Sequence, residues 1–65
     1  MFKSGFPLNT LEQFQAVIHN KKPVMIIQRG IMLEYSGVIA SQSEESVTLE
    51  NGDKYLKSTC QFRIR

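Results

Sequence analysis

Pro23 divides the chain into two segments with different hydrophobic periodicity, and this division restricts the fold more than any other feature. Before Pro23, apolar residues recur at steps of three or four, which is the spacing of a helix with one apolar face. These residues are Leu11, Phe14, Val17 and Ile18. After Pro23, apolar residues occur in short, β-branched runs separated by glycine and polar turns, which is typical of strands. The pattern predicts a mostly β fold with one N-terminal α-helix.

The predicted helix lies within residues 9–22, after an irregular lead-in over residues 1–8. Asn9 or Thr10 can serve as its N-cap, because each is followed three positions later by a residue that can complete a capping box. Pro23 prevents the helix from continuing, since it has no backbone N–H and its ring clashes with the preceding turn.

Residues 23–65 are predicted to form five short antiparallel strands. Gly30 lies in a turn between the first two strands, and Gly37 within the second indicates a bulge or a sharp bend. A strongly bent five-stranded sheet is typical of a small SH3-like barrel. No later segment covers the last strand, so we expect an open outer edge that pairs with another copy or another protein. The residues of that edge are Gln61, Phe62, Arg63 and Ile64.

Asn51-Gly52 is the strongest turn signal in the chain, since both residues tolerate the positive φ that a tight hairpin requires. A three-residue loop sets Leu49 opposite Tyr55, whereas a two-residue loop sets it opposite Lys54. The first arrangement pairs apolar with apolar, so the sequence favours it.

A chain of 65 residues forms a single domain with a modest core, which usually needs a disulfide, a metal or self-association. Cys60 is the only cysteine and His19 the only histidine, so neither an internal disulfide nor a tetrahedral Cys/His metal site can form. We therefore expect a homo-oligomer without a metal. Cys60 shares the inward phase of Phe62 and Ile64, so we expect a buried thiol.

The residue types that catalysis needs are too few and too scattered to build an active site. One histidine, one cysteine and carboxylates spread over loops give neither a triad nor paired carboxylates at a recognisable spacing. No run of about 18 apolar residues and no signal peptide is present, so we expect no membrane association. These features favour a cytoplasmic binding protein, not an enzyme, with no cofactor.

Three segments carry a resemblance to a known family. They are FQAVIHNKKPV (residues 14–24), GIMLEYSGVI (residues 30–39) and ASQSEESVTLEN (residues 40–51), and the start of an aromatic-basic motif follows at Tyr55 and Lys57. This layout resembles the Hfq branch of the Sm-like family over most of the chain. The resemblance implies an N-terminal helix on a bent five-stranded sheet, assembly into a homo-oligomeric ring and binding of single-stranded RNA.

The sequence differs from the family pattern at the positions that contact uridine. Glu44 and Glu45 stand where the family has a glutamine followed by an aromatic residue. Two carboxylates repel phosphate and offer no stacking face, so we expect an altered base preference. The aromatic-basic motif reads Tyr55-Leu56-Lys57 and lacks the usual histidine.

Basic residues flank an aromatic ring in the last third of the chain. Neighbouring strands can then present cations to phosphates and a ring to a base. The candidate RNA-binding residues are Lys54, Tyr55, Lys57, Arg63 and Arg65, with Arg29 in the first turn as a further phosphate contact. The alternative is that these charges are the solvated faces of edge strands and that Tyr55 packs on Leu49.

Two functions from different classes follow from these patterns. The first is a ring-forming Sm-like protein that binds single-stranded RNA as a post-transcriptional regulator. The second is a protein-interaction module that docks through its last strand and through Phe2 and Phe6 of the lead-in. A DNA-binding barrel has little support, because the formal net charge is only +2.

Overall fold

A computed structural model describes residues 3–65, which form one helix and six strands. The helix, α1, spans Leu11–His19. The strands are β1 (Pro7–Leu8), β2 (Pro23–Gln28), β3 (Ile31–Gln42), β4 (Ser46–Leu49), β5 (Lys54–Leu56) and β6 (Gln61–Ile64). Neighbouring strands pair antiparallel in one open sheet of order β1-β6-β2-β3-β4-β5. The predicted mostly β fold with an N-terminal helix is confirmed, with six strands in place of five.

Thr10 begins α1 through the capping box that the sequence predicts. Its hydroxyl accepts a hydrogen bond from the Gln13 N–H at 3.1 Å, and the Gln13 side chain accepts one from the Thr10 N–H at 3.1 Å. At the other end Lys21 adopts a positive φ of 51°, which an α-helix cannot contain, so the helix is shorter than predicted. Within residues 3–65, no helix combines the length and the apolarity that crossing a lipid bilayer requires.

The core forms where α1 packs against the sheet. Its buried apolar residues are Leu8, Phe14, Val17, Val24, Ile26, Ile39, Val47, Leu49, Phe62 and Ile64. Along β2 and β6 the buried residues alternate with more exposed ones, as a strand with one covered face requires. The rings of Phe14 and Phe62 meet edge to face with their centroids 5.3 Å apart, and this contact joins the helix to β6.

Strand β1 corrects two predictions. The lead-in is not irregular throughout, because Pro7 pairs with Arg63 and Leu8 pairs with Phe62. The Ile64 N–H also donates to the Phe6 carbonyl at 2.9 Å. The expectation of an open outer edge over Gln61, Phe62, Arg63 and Ile64 is therefore wrong, since β6 lies between β1 and β2. A proline is suited to the edge position of β1, where no ladder hydrogen bond from its nitrogen is needed.

The β4–β5 hairpin has a register that neither predicted loop provides. Val47 lies opposite Tyr55, and the Leu49 N–H donates to the Asp53 carbonyl at 2.8 Å. The predicted pairing of Leu49 with Tyr55 is therefore wrong. The Asp53 N–H donates to the Asn51 side-chain oxygen at 2.9 Å, and this local bond determines where the turn closes.

Strand β3 is shared between the two halves of the sheet. Its first part pairs with β2 and its last part, from Ile39 to Gln42, pairs with β4. A bulge interrupts the β2–β3 pairing beside Gly37, as the sequence predicts. A Cβ atom at Gly37 would lie 2.8 Å from a methyl carbon of Leu49, so glycine permits the close approach of these two segments.

Candidate nucleic-acid interface

A cleft of about 300 Å³ opens where β1, the start of α1 and the β5–β6 connection meet. Phe14 and Phe62, each 3% exposed, form its apolar floor, and Lys57, Arg63 and Gln61 are among the polar residues that line it. Its volume is at the small end of the range for ligand pockets, so it suits a ligand fragment about the size of one nucleobase. We refer to it as the Lys57–Arg63 cleft.

Lys57 is held in a defined position within this cleft. Its ammonium donates to the Gln42 side-chain oxygen at 2.8 Å and lies 4.4 Å from the centroid of the Phe14 ring. Burial lowers the pKa of the Lys57 ammonium, and the nearby carboxylate of Glu44 acts in the opposite direction. A cation held over an aromatic ring needs little further ordering when it meets an anion.

Gln42 positions Lys57 relative to the helix. Its side-chain nitrogen donates to the Leu11 carbonyl at 3.0 Å, while its oxygen accepts from Lys57. The last residue of β3 therefore connects the first turn of α1 to the cation of the cleft. Sequence reasoning missed this role and that of Phe14, because a single glutamine and a core phenylalanine carry no motif.

Arg63 supplies the second cation from β6. Its guanidinium donates to the Gly5 carbonyl at 3.0 Å, and the side chain is half-buried. A guanidinium has five N–H donors, so this one bond leaves most of them for a ligand. Residues 5–8 thus cover the edge of β6 through β1 and hold the Arg63 guanidinium through the Gly5 carbonyl.

The structure brings together two of the six predicted RNA-binding residues, Lys57 and Arg63, and places the other four outside the cleft. The Arg65 guanidinium lies 4.8 Å from the centroid of the Tyr35 ring. Lys54 is exposed on β5, and Arg29 is exposed in the β2–β3 turn.

Tyr55 is half-buried against the core and faces Val47 across the sheet. Burial raises the pKa of its hydroxyl, and the negative charges of Asp53 and Glu34 raise it further. This packing occupies the ring that the sequence offered for stacking on a base. The core cluster that Tyr55 packs against contains both Val47 and Leu49.

Cys60 is half-buried and lines the cleft, which corrects the expectation of a buried thiol. The reason is that Cys60 precedes β6 and lies in the connection from β5, where the strict alternation of a strand does not apply. Within residues 3–65, no group of three or more His, Cys, Asp or Glu side chains is arranged to hold a metal ion.

Comparison of the chain with protein-family models, with curated proteins and with solved structures finds no match. The resemblance to the Hfq branch of the Sm-like family therefore stays a prediction.

Proposed function

We propose that the chain binds single-stranded RNA, with one nucleotide held in the Lys57–Arg63 cleft. The observation that carries the proposal is the placement of two cations beside two aromatic rings in one concave site. Lys57 and Arg63 contact phosphate, and the base lies over the nearly buried floor that Phe14 and Phe62 form. The exposed amide of Gln61 is positioned to hydrogen-bond with a base edge.

The dimensions of the cleft favour a single strand over a duplex. A cleft of about 300 Å³ admits one unstacked base, whereas the bases of a duplex stay stacked and paired. The formal net charge of +2 is low for a nucleic-acid-binding protein, so one copy supplies only a modest phosphate affinity. Several copies acting on one strand raise the overall affinity without any new contact.

That argument leads to the homo-oligomeric ring that the resemblance implies. A ring repeats the cleft at each copy, so a single strand can occupy several clefts in turn. We base this proposed Sm-like assignment on the N-terminal helix, the bent β3 and the five strands that follow the helix, and the sheet itself is open. We place the resulting RNA regulator in the cytoplasm.

The alternative function, docking of another protein onto the last strand, has lost its structural basis. Strand β1 already pairs with the edge that the docking would use. Phe6 packs against the core, and Phe2 lies outside the described residues. RNA binding at the cleft is the function that the described residues support best.

The test is fluorescence anisotropy with labelled single-stranded homopolymer oligonucleotides at two salt concentrations. We expect Lys57→Met and Arg63→Met each to weaken binding by roughly three- to tenfold and to reduce the salt dependence by about one phosphate contact. Lys54→Met is the matched control, because Lys54 has the same charge but lies outside the cleft. Equal affinities for the wild type, Lys57→Met and Arg63→Met would contradict the proposed site, and a wild type that binds no RNA would contradict the function.

A further inference from the structure

The first part of β3 exposes four large apolar or aromatic side chains. Ile31 is 64% exposed, Met32 46%, Leu33 41% and Tyr35 58%. We call these four residues the hairpin surface, since they follow the turn between β2 and β3. Consecutive positions of a strand point to opposite faces, so this segment presents apolar side chains on both faces. Such a segment is ordinarily buried on both sides.

The backbone of the same segment is also unpaired on one side. Residues 31–38 pair with β2, whereas β4 pairs with β3 only from Ile39 onward. Within residues 3–65, no strand pairs with the other side of the segment over residues 31–36. The other two sheet edges are protected, because β1 contains Pro7 and the three-residue β5 begins with Lys54. The hairpin surface has neither a proline nor a lysine.

We propose that the hairpin surface binds the hairpin surface of a second copy of this chain about a two-fold axis. In that arrangement the two segments run antiparallel, and the start of each lies beside the end of the other. Arg29 is exposed in the turn, two positions before the segment, while Glu34 in its second half carries the only charge within residues 31–36. The two-fold axis therefore brings Arg29 of each copy towards Glu34 of the other, twice in one interface.

The side chains between these charges are also self-complementary. In the register that sets Arg29 opposite Glu34, Ile31 of one copy lies opposite Met32 of the other, and apolar pairs directly across two strands are favourable. The same contact buries Met32 and Leu33. A chain of 65 residues without a disulfide gains stability from such an interface, and its stability then depends on concentration.

The first test is native mass by light scattering coupled to gel filtration. Leu33→Lys places a charge in the interface, and Leu56→Lys is the matched control because Leu56 is 50% exposed on β5. We expect the wild type and Leu56→Lys to have twice the native mass of Leu33→Lys at the same concentration. The proposal is wrong if the wild type and Leu33→Lys have the same native mass, whether both are dissociated or both are associated.

A second test isolates the charge pairing and does not disturb the apolar surface. Arg29→Glu and Glu34→Arg each place like charges together in a dimer of identical copies, so each variant alone should dissociate more readily than the wild type. A mixture of the two restores both opposite-charge pairs, and we expect a heterodimer of wild-type-like affinity. A mixture that associates no better than either variant alone would overturn the two-fold arrangement.

Discussion

The Lys57–Arg63 cleft and the hairpin surface differ from an ordinary protein surface in opposite ways, since the first partly buries charged side chains and the second exposes apolar ones. In the cleft, cations are drawn into half-buried positions and held by Gln42 and by the Gly5 carbonyl. On the hairpin surface, apolar side chains remain exposed beside an unpaired strand edge. Exposed single apolar residues are common, but a contiguous set of them and a set of held charges each indicate a partner. Held charges suit an anionic ligand, whereas an apolar strand suits another protein surface.

The difference arises from what the chain places on each edge of the sheet. Strand β1 returns onto β6, covers its edge and forms one wall of the cleft. Strand β4 covers only the last part of β3 and leaves the first part without a partner. The same sheet therefore has one edge completed by its own N-terminal segment and another that a second copy can complete.

The largest expected effect is on the free energy of unfolding, to which the cleft and the hairpin surface should contribute very differently. Phe14→Ala should lower the free energy of unfolding by about 3–5 kcal/mol, because it removes a nearly buried ring and leaves a cavity. Leu33→Ala should change it by less than about 0.5 kcal/mol at concentrations where the chain is dissociated, since Leu33 is exposed. Urea unfolding followed by circular dichroism measures both values. Similar losses in the two variants would show that the hairpin surface belongs to the folding core.

A smaller effect is expected at Gly37, where β3 passes close to Leu49 of β4. Gly37→Ala should cost about 1–3 kcal/mol, because the new Cβ would lie 2.8 Å from a methyl carbon of Leu49 and 3.0 Å from the Glu34 side chain. Ser36→Ala is the control, since Ser36 is an exposed neighbour on the same strand. The same unfolding experiment compares the two variants. If Gly37→Ala is as stable as Ser36→Ala, the contact between the hairpin and β4 is loose enough to absorb a methyl group.

Local sequence rules predicted the elements whose causes are local. The capping box of Thr10 and the bulge beside Gly37 each depend on residues within a few positions along the chain. Strand β1 was missed because two residues containing a proline carry no strand pattern, and the partner of β1 is more than fifty positions away, as in the pairing of Pro7 with Arg63. The hairpin register was wrong because it depends on a side-chain bond from Asp53 to Asn51.

The sequence predicted which types of residue form the candidate site, but it did not predict how they come together. The sequence indicated that basic residues near the C-terminus matter, and two of them, Lys57 and Arg63, line the cleft. Their meeting depends on β1 and on Gln42, whose contacts join segments far apart in the chain. The sequence assigned Tyr55 to an RNA-binding surface because basic residues flank it, but in the structure the residue is half-buried against the core.

The smallest expected effect is a pH dependence of stability that belongs to the cleft alone. The pKa of Lys57 is lower in the folded chain than in the unfolded chain because of burial. Between these two pKa values the unfolded chain binds more protons, so the Lys57 contribution makes the folded state more stable as pH rises towards the ordinary lysine value of about 10.4. Lys57→Met keeps the aliphatic contact with Phe14 and removes the titrating group.

Urea midpoints of the wild type and Lys57→Met between pH 7 and pH 10 test this prediction. Tyr55 titrates in the same alkaline range with a raised pKa and lowers stability as pH rises, but it is present in both proteins and cancels in the difference. If Lys57→Met is more stable than the wild type at pH 7, we expect this difference in stability to shrink as pH increases. If the urea midpoints of the two proteins change with pH in parallel, the Lys57 ammonium is as well hydrated in the folded chain as in water. The cleft would then differ from the hairpin surface in its residue composition but not in the burial of its side chains.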